Sequence, residues 1–234
     1  MTSAAPRLSR CPVCGGDQFV QHNVIWRELA DDWQLSPEEH GYIDRQQGFF
    51  CTRCACNLRS MALARAICAS FGFDGNFVQF VATPTAQGLA VLEINEAGQL
   101  GRFLRALRGH RLISYPEYDM TCLSLPAAAF DLVVHSDTLE HVPDPLAGLA
   151  ECRRVLKPDG RCIYTVPIVV DRVSRSREGL KPSFHGAPTD GRNDMIVHHE
   201  FGADAWKTAA EAGFTRVCHH ILDYPGGIAL EARS

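Results

Sequence analysis

Residues 130–168 read FDLVVHSDTLEHVPDPLAGLAECRRVLKPDGRCIYTVPI, and their pattern decides the fold. Residues 130–135 form a short apolar run with two valines, the pattern of a strand covered on both faces. The polar stretch 136–145 carries two prolines and cannot continue that strand. From Pro145 to Leu156 apolar side chains recur at 146, 149, 150 and 155, a helical face that stops at Lys157-Pro158. Asp159-Gly160 turns the chain, and residues 161–166 read as the next strand. A strand, a helix and a strand of this length imply a right-handed crossover and a parallel sheet with helices on its faces.

Toward the C-terminus, residues 168–197 are rich in Arg, Ser, Gly, Pro and Asp without periodicity, which predicts one long functional or mobile loop. Residues 203–212 read as an amphipathic helix stopped by Gly213. Residues 214–222 and 227–232 read as strands joined by Asp223-Tyr224-Pro225-Gly226, a terminal hairpin. Toward the N-terminus, residues 90–94 form an opening strand, 100–107 a helix and 111–115 a second strand.

Further upstream stand two thiolate knuckles, Cys11-Pro-Val-Cys14 and Cys51-Thr-Arg-Cys54, separated by 36 residues. Together they offer four sulfurs to one tetrahedral ion, and zinc suits such a set best. The site would be closed and structural, because four protein ligands leave no position for substrate or water. Unligated cysteines, a redox pair, and Cys56 in place of Cys54 are the alternatives. Between the knuckles Ser36-Pro37-Glu38-Glu39 starts a helix that runs to Gln46, with a serine cap and proline in the first turn. Trp26, Trp33, Tyr42, Ile43, Phe49 and Phe50 supply either a small core around the metal or a substrate lid. Residues 57–71 form a helix with Met61, Leu63, Ala64, Ala66 and Ile67 inward, and Arg59 is expected either beside the thiolates or as a surface arginine. The division that follows is a zinc-ribbon and helical module over 1–72 and a larger domain over 73–234.

Composition narrows the classes. The chain has 234 residues, 46% hydrophobic and 21% charged, as in an ordinary globular protein. A net charge of −4 gives no nucleic-acid footprint. No run approaches the ~18 apolar residues that span a bilayer. The first ten residues lack an apolar signal core, so ten cysteines suggest reduced thiols or metal in the cytoplasm rather than disulfides.

The wording of the central stretch is more specific than its period. Phe130-Asp131-Leu132-Val133-Val134, then Leu139-Glu140-His141-Val142 with Pro143-Asp144-Pro145, then Arg154-Val155-Leu156-Lys157-Pro158-Asp159-Gly160 resembles the second half of class I S-adenosylmethionine-dependent methyltransferases. The two knuckles followed by the Asn57-Leu58-Arg59-Ser60 helix resemble a bacterial subgroup with an N-terminal zinc ribbon, and that similarity covers nearly the whole chain. The resemblance implies an α/β fold: a Rossmann-like, doubly wound, mostly parallel sheet ending in an antiparallel hairpin, plus the small zinc-binding module. Its third strand and preceding helix are almost absent here. It also implies S-adenosylmethionine as cofactor. The family's glycine-rich turn is altered to Asn95-Glu96-Ala97-Gly98-Gln99-Leu100-Gly101, where Asn tolerates positive φ and Ala is small. Glu96 or Gln99 turned into the rim would leave no room for a nucleoside.

By the same resemblance Glu93, Asn95, Ala97 and Gly98 shape the turn. Glu117 accepts from the ribose hydroxyls, with Asp119 as the alternative, since a carboxylate can accept from both hydroxyls of a diol. Asp119 and Met120 meet adenine, and Ser136, Asp137 and His141 line the methionine end. His185 and His199 border the acceptor and are the candidate bases, with an ordinary imidazole pKa near 6.5. The expected reaction is methyl transfer to oxygen or nitrogen of a small metabolite, sugar or natural-product intermediate, with neither membrane nor nucleic acid as partner. A cofactor-binding protein without transfer, a zinc-ribbon interaction module, and a second metal site from Asp194, His198, His199 and Glu200 remain alternatives.

Overall fold

The structure, a computed structural model, describes residues 8–184 and 195–234. β1 (Phe19–Gln21) and β2 (Phe49–Cys51) pair antiparallel beside the cysteine knuckles. The chain between them forms α1 (Arg27–Asp32) and α2 (Pro37–Gly48). Ser36 and Glu39 cap α2 reciprocally, with Glu39 N–H donating to Ser36 Oγ and Ser36 N–H to Glu39 Oε2, as the sequence requires. α3 (Leu58–Ser70) follows, capped by the Asn57 side chain, then α4 (Phe77–Val81) and α5 (Pro84–Gln87).

The central sheet begins with β3 (Ala90–Ile94). A 3-10 turn and α6 (Gly101–Leu104) lead to β4 (Gly109–Ile113), then come β5 (Phe130–Ser136), α7 (Pro145–Val155) and β6 (Leu156–Thr165). β7 (Ile168–Val169), β8 (Arg175–Ser176) and β9 (His199–Gly202) form a small sheet of their own. α8 (Trp206–Glu211), β10 (Arg216–Asp223) and β11 (Gly227–Arg233) complete the chain. The strand order is β10-β11-β6-β5-β3-β4. β3 pairs parallel with β4 on one side and β5 on the other, β5 with β6 likewise, while β11 runs antiparallel to β6 and to β10. The winding therefore reverses between β3 and β5, and the crevice at their carboxyl ends is where such sheets take ligands.

Both faces are covered. On one face α3 buries Leu58, Met61, Leu63 and Ile67 against Val91, Leu132, Val134 and Ile163. On the other, α7 and α8 place Leu149, Val155 and Ala209 on Leu92, Val133 and Tyr164. Full burial of one such aliphatic side chain is worth about 1.5–3 kcal/mol, so α3 is held by the sheet rather than by its own propensity. A helix from the cysteine-bearing segment thus forms one layer of the large core.

Some expectations shift. The second strand starts two residues earlier, at Gly109, and the helix after the altered turn is only four residues long. β6 begins at Leu156 and carries a bulge, with Asp159 at φ +64° in the turn. The stretch 168–197 is not one loop: two short strands pair with β9. Its Arg172 donates to both carboxylate oxygens of Glu39, each at 2.7 Å, and to the carbonyls of Trp33 and Gln34. The expected aromatic set also divides. Phe49 stacks on Phe19 next to the knuckles, whereas Trp33, Tyr42 and Ile43 pack with Val197 and Val169 above the sheet rim.

Candidate active site

The altered turn is held from inside. Glu93 is fully buried at the end of β3; its Oε1 accepts from the Ala97 N–H at 2.8 Å and its Oε2 lies 2.6 Å from His110 Nε2 on β4. Asn95 sits at φ +54° and its side-chain oxygen accepts from the Tyr115 N–H. Asparagine is a residue that tolerates this region, so it takes the part a glycine would play. Gly98 (φ +52°) passes beneath Ser60 of α3, where a Cβ would lie 3.2 Å from the hydroxyl. Glu96 pairs with Arg105 in solvent and Gln99 is exposed, so neither fills the rim.

What stands open there is a cavity of about 300 Å³ at the carboxyl ends of β3, β4 and β5. Asn95, Asp119, Met120, Asp137 and His141, five of the expected residues, line it together. Tyr115, Tyr118, Thr138 and His198 join them. Glu93, Ala97 and Ser136 stand behind the wall, Ser136 hydrogen-bonded to Thr165 at 2.7 Å. Glu117 is exposed and absent from the lining. His199 donates to the Pro143 carbonyl and faces a neighbouring cavity with Arg177 and Lys181. His185 lies outside the described residues, as does Asp194. Glu200 is engaged by Arg175 and Arg177, which leaves its carboxylate committed to cations already in the chain.

The loop after β5 is built on charge. Asp137 (φ +51°) accepts from Arg59 Nη1 at 2.5 Å, and Arg59 is only 2% exposed. This corrects the expectation for Arg59, which turns to the sheet rim instead of the thiolates. The arginine that reaches the second knuckle is Arg102, donating to the Cys54 carbonyl. Burial raises the Asp137 carboxyl while Arg59 opposes the rise. Burial, then the Asp137 charge, push buried Glu140 up to about 8, again against Arg59. The Leu139–His141 turn is pinned from outside: His141 Nδ1 donates to the Ile196 carbonyl at 2.9 Å, and the His198 N–H to the Glu140 carbonyl at 2.7 Å. A second, apolar cavity of about 210 Å³ lies under α1 and α2, with Arg59 and Pro167 in its lining.

Just before the first turn of α3, the sulfurs of Cys11, Cys14, Cys51 and Cys54 lie within 4.8 Å of one another. The Cys11–Cys54 and Cys14–Cys51 separations are both 3.6 Å, and the Gly16 N–H donates to Cys14 Sγ. Four sulfurs about 2.3 Å from a tetrahedral centre would stand slightly under 4 Å apart, so the set fits a zinc ion. Cys56 is outside the cluster.

Residues 74–164, from the segment before α4 through β6, match the methyltransferase-domain family. Over that stretch, about two fifths of the chain, the sequence is similar to a methyltransferase domain. Among curated relatives, a ubiquinone biosynthesis O-methyltransferase of Histophilus somni is 28% identical over 64% of this chain and 61% of its own length. One from Idiomarina loihiensis is 35% identical over 26% of this chain and 28% of its own. The chain thus spans between about a quarter and three fifths of these relatives. Solved structures include a possible histamine N-methyltransferase of Thermotoga maritima (14% identity, TM-score 0.40, 75% of this chain and 89% of that one). A Mesorhizobium loti S-adenosylmethionine-dependent methyltransferase gives 16% identity, TM-score 0.39, 67% and 95%.

Sequence reasoning missed Tyr115, Tyr118 and His198 as cavity residues. The tyrosines carried a signal, two aromatic side chains beside the expected Asp119-Met120 pair. His198 carried only its adjacency to His199. Arg59 carried none, because its partner is 78 positions away.

Proposed function

We propose that this chain transfers the methyl group of S-adenosylmethionine to an oxygen or nitrogen of a small-molecule acceptor, and that Cys11, Cys14, Cys51 and Cys54 hold a structural zinc ion. The carrying observation is the open cavity at the β3/β5 switch point, bounded by a turn that Glu93 and Asn95 keep in shape. Bound S-adenosylmethionine supplies an already activated methyl group, so the chain's own part is to hold and align the two reactants. Asp119 and Met120 are suited to the adenosine end; Asp137, Thr138 and His141 to the opposite end. A carboxylate lining beside a cationic ligand lowers its solvation cost. His198 lines the cofactor cavity and, with His199, the neighbouring one, and burial holds the His198 imidazole low, hence neutral near pH 7. The matched relatives are O-methyltransferases by name, which favours oxygen as the accepting atom.

The zinc would fix the segment from which α3 springs, and with it Arg59 and Ser60. Ten cysteines, none in a disulfide, suit a reducing cytoplasm. Among the described residues no helix is long and apolar enough to cross a membrane. Calorimetry of the whole chain with S-adenosylmethionine and S-adenosylhomocysteine tests the reading. Saturable heat with both supports it, and absence of heat with either overturns it.

A further inference from the structure

The cavity under α1 and α2 has a lining unlike that of the cofactor crevice. Trp26 and Trp33 make its walls together with five aliphatic side chains, Leu35 among them, and the amide of Gln47 is the neutral polar group there. Among the lining residues the one charged group is Arg59, at the end where Pro167 follows β6. Arg59 Nη1 is bound to Asp137, which itself lines the cofactor cavity. Its Nε–H is buried and has no hydrogen-bond partner among the described residues. A buried cationic donor left unmade is a standing cost that a ligand oxygen would relieve. Arg59 therefore lines the apolar cavity and reaches the cofactor cavity only through Asp137, with one donor held there and another unclaimed.

We infer that this apolar cavity is the acceptor subsite, and that it takes a flat hydrophobic molecule carrying one acidic oxygen, docked as its anion on Arg59. The inference rests on the proposed methyl transfer and names its substrate class. Two indoles and five aliphatic side chains, with Gln47 the one neutral polar side chain, disfavour sugars and other strongly hydrated molecules, most of whose polar groups would be buried unpaired. They accept a ring face. The guanidinium supplies what the walls lack, a charge-assisted donor for a phenolate or carboxylate oxygen. The proton leaves to solvent as the anion enters. Arg59 thereby fixes the oxygen next to the cofactor cavity, with Asp137 as the link between the two ligands.

The test uses the full chain, zinc-loaded, with three matched probes: 4-nitrophenol, 4-nitrobenzoate and nitrobenzene. Binding is read by calorimetry, and ionisation of bound 4-nitrophenol by its visible spectrum against pH. At least one anion should bind tenfold or more tighter than nitrobenzene, and bound 4-nitrophenol should ionise at lower pH than the free phenol. Which anion binds tighter separates phenol from carboxylic acid. Arg59→Met should erase the anion preference while nitrobenzene binding changes by no more than about twofold. If Arg59→Met does not fold, Leu35→Trp, which fills the cavity, decides: it should abolish aryl binding while S-adenosylhomocysteine still binds. No anion preference, or anion or aryl binding unchanged by these substitutions, overturns the inference. Absent aryl binding with S-adenosylhomocysteine heat intact sinks the subsite alone, whereas absent heat with that ligand sinks the methyltransferase reading.

Discussion

His135 and Glu140 stand five positions apart on the chain, both buried, and titrate in opposite senses. Burial lowers the His135 imidazole to about 3, and it stacks on Tyr164 with neither ring nitrogen hydrogen-bonded among the described residues. The unfolded chain takes a proton at this position below about 6.5, whereas the fold refuses it until about 3. Stability is therefore lost as pH falls through that window, by up to about 1.4 kcal/mol per pH unit. His135→Phe keeps the stack and removes the titration. Its urea midpoint should fall less than the wild type's between pH 6.5 and 4, and parallel curves would refute this. Glu140 works the other way. Its carboxyl stays protonated in the fold up to about 8 but ionises near 4.5 when unfolded, so stability is present at low pH and lost as pH rises from 4.5 to 8. Glu140→Gln should match the wild type near pH 4 and exceed it at pH 8 by at least about 1 kcal/mol, for a shift of more than one unit. Equal midpoints at pH 8 would show that Glu140 is ionised in the native chain.

At the level of elements, the Asn57 cap places Arg59 and Ser60 in the first turn of α3, directly after the Cys51–Cys54 knuckle. One end of that helix is thus tied to the thiolate cluster and the same turn reaches the cofactor rim, Ser60 over Gly98 and Arg59 to Asp137. Cys54→Ser should reduce bound zinc from one per chain to a small fraction, and speed amide exchange over β1, β2 and the first turn of α3. It should also weaken S-adenosylhomocysteine binding about tenfold, the order expected from loosening a charge-assisted hydrogen bond. Exchange rates that stay as in the wild type would show that the cluster does not organise this segment. The elements legible in the sequence were those with a period, a cap or a turn signal at their ends: β3, β5, β6, β10, β11, α2, α3, α7 and α8. β7 and β8 were not, because strands of two residues cannot display an alternation; they exist only through β9. The turn after β3 was legible in part. Asn95 announced its positive φ by residue type and the resemblance pointed to Glu93 as ordering the turn, whereas its partner His110 on β4 was not announced.

Across the whole molecule three bodies meet at one rim: the cysteine-bearing segment through α3, the parallel sheet, and the α1–α2 cap. The cap rests on long-range polar contacts that local sequence cannot announce. Arg172 reaches back 133 positions to Glu39, and the Trp33 indole N–H donates to Ser183 Oγ at 2.9 Å across 150 positions. The Arg172 guanidinium holds the Glu39 carboxyl down to about 2, so the pair stays charged through the physiological range. Arg172→Ala removes bonds to one carboxylate and two carbonyls, and leaves Glu39, nearly buried, with only its cap bonds to Ser36. The expected loss in cap stability is about 2 kcal/mol, as for charged hydrogen bonds. It should be seen as faster amide exchange over residues 24–47 while β3, β5 and β6 keep wild-type protection. Because the cap walls the apolar cavity but not the cofactor crevice, 4-nitrophenol affinity should fall and S-adenosylhomocysteine affinity should stay within about twofold. A matched fall in both affinities would mean that the cap and the cofactor turn move as one body. The two cavities would then be a single site rather than neighbours joined through Arg59 and Asp137.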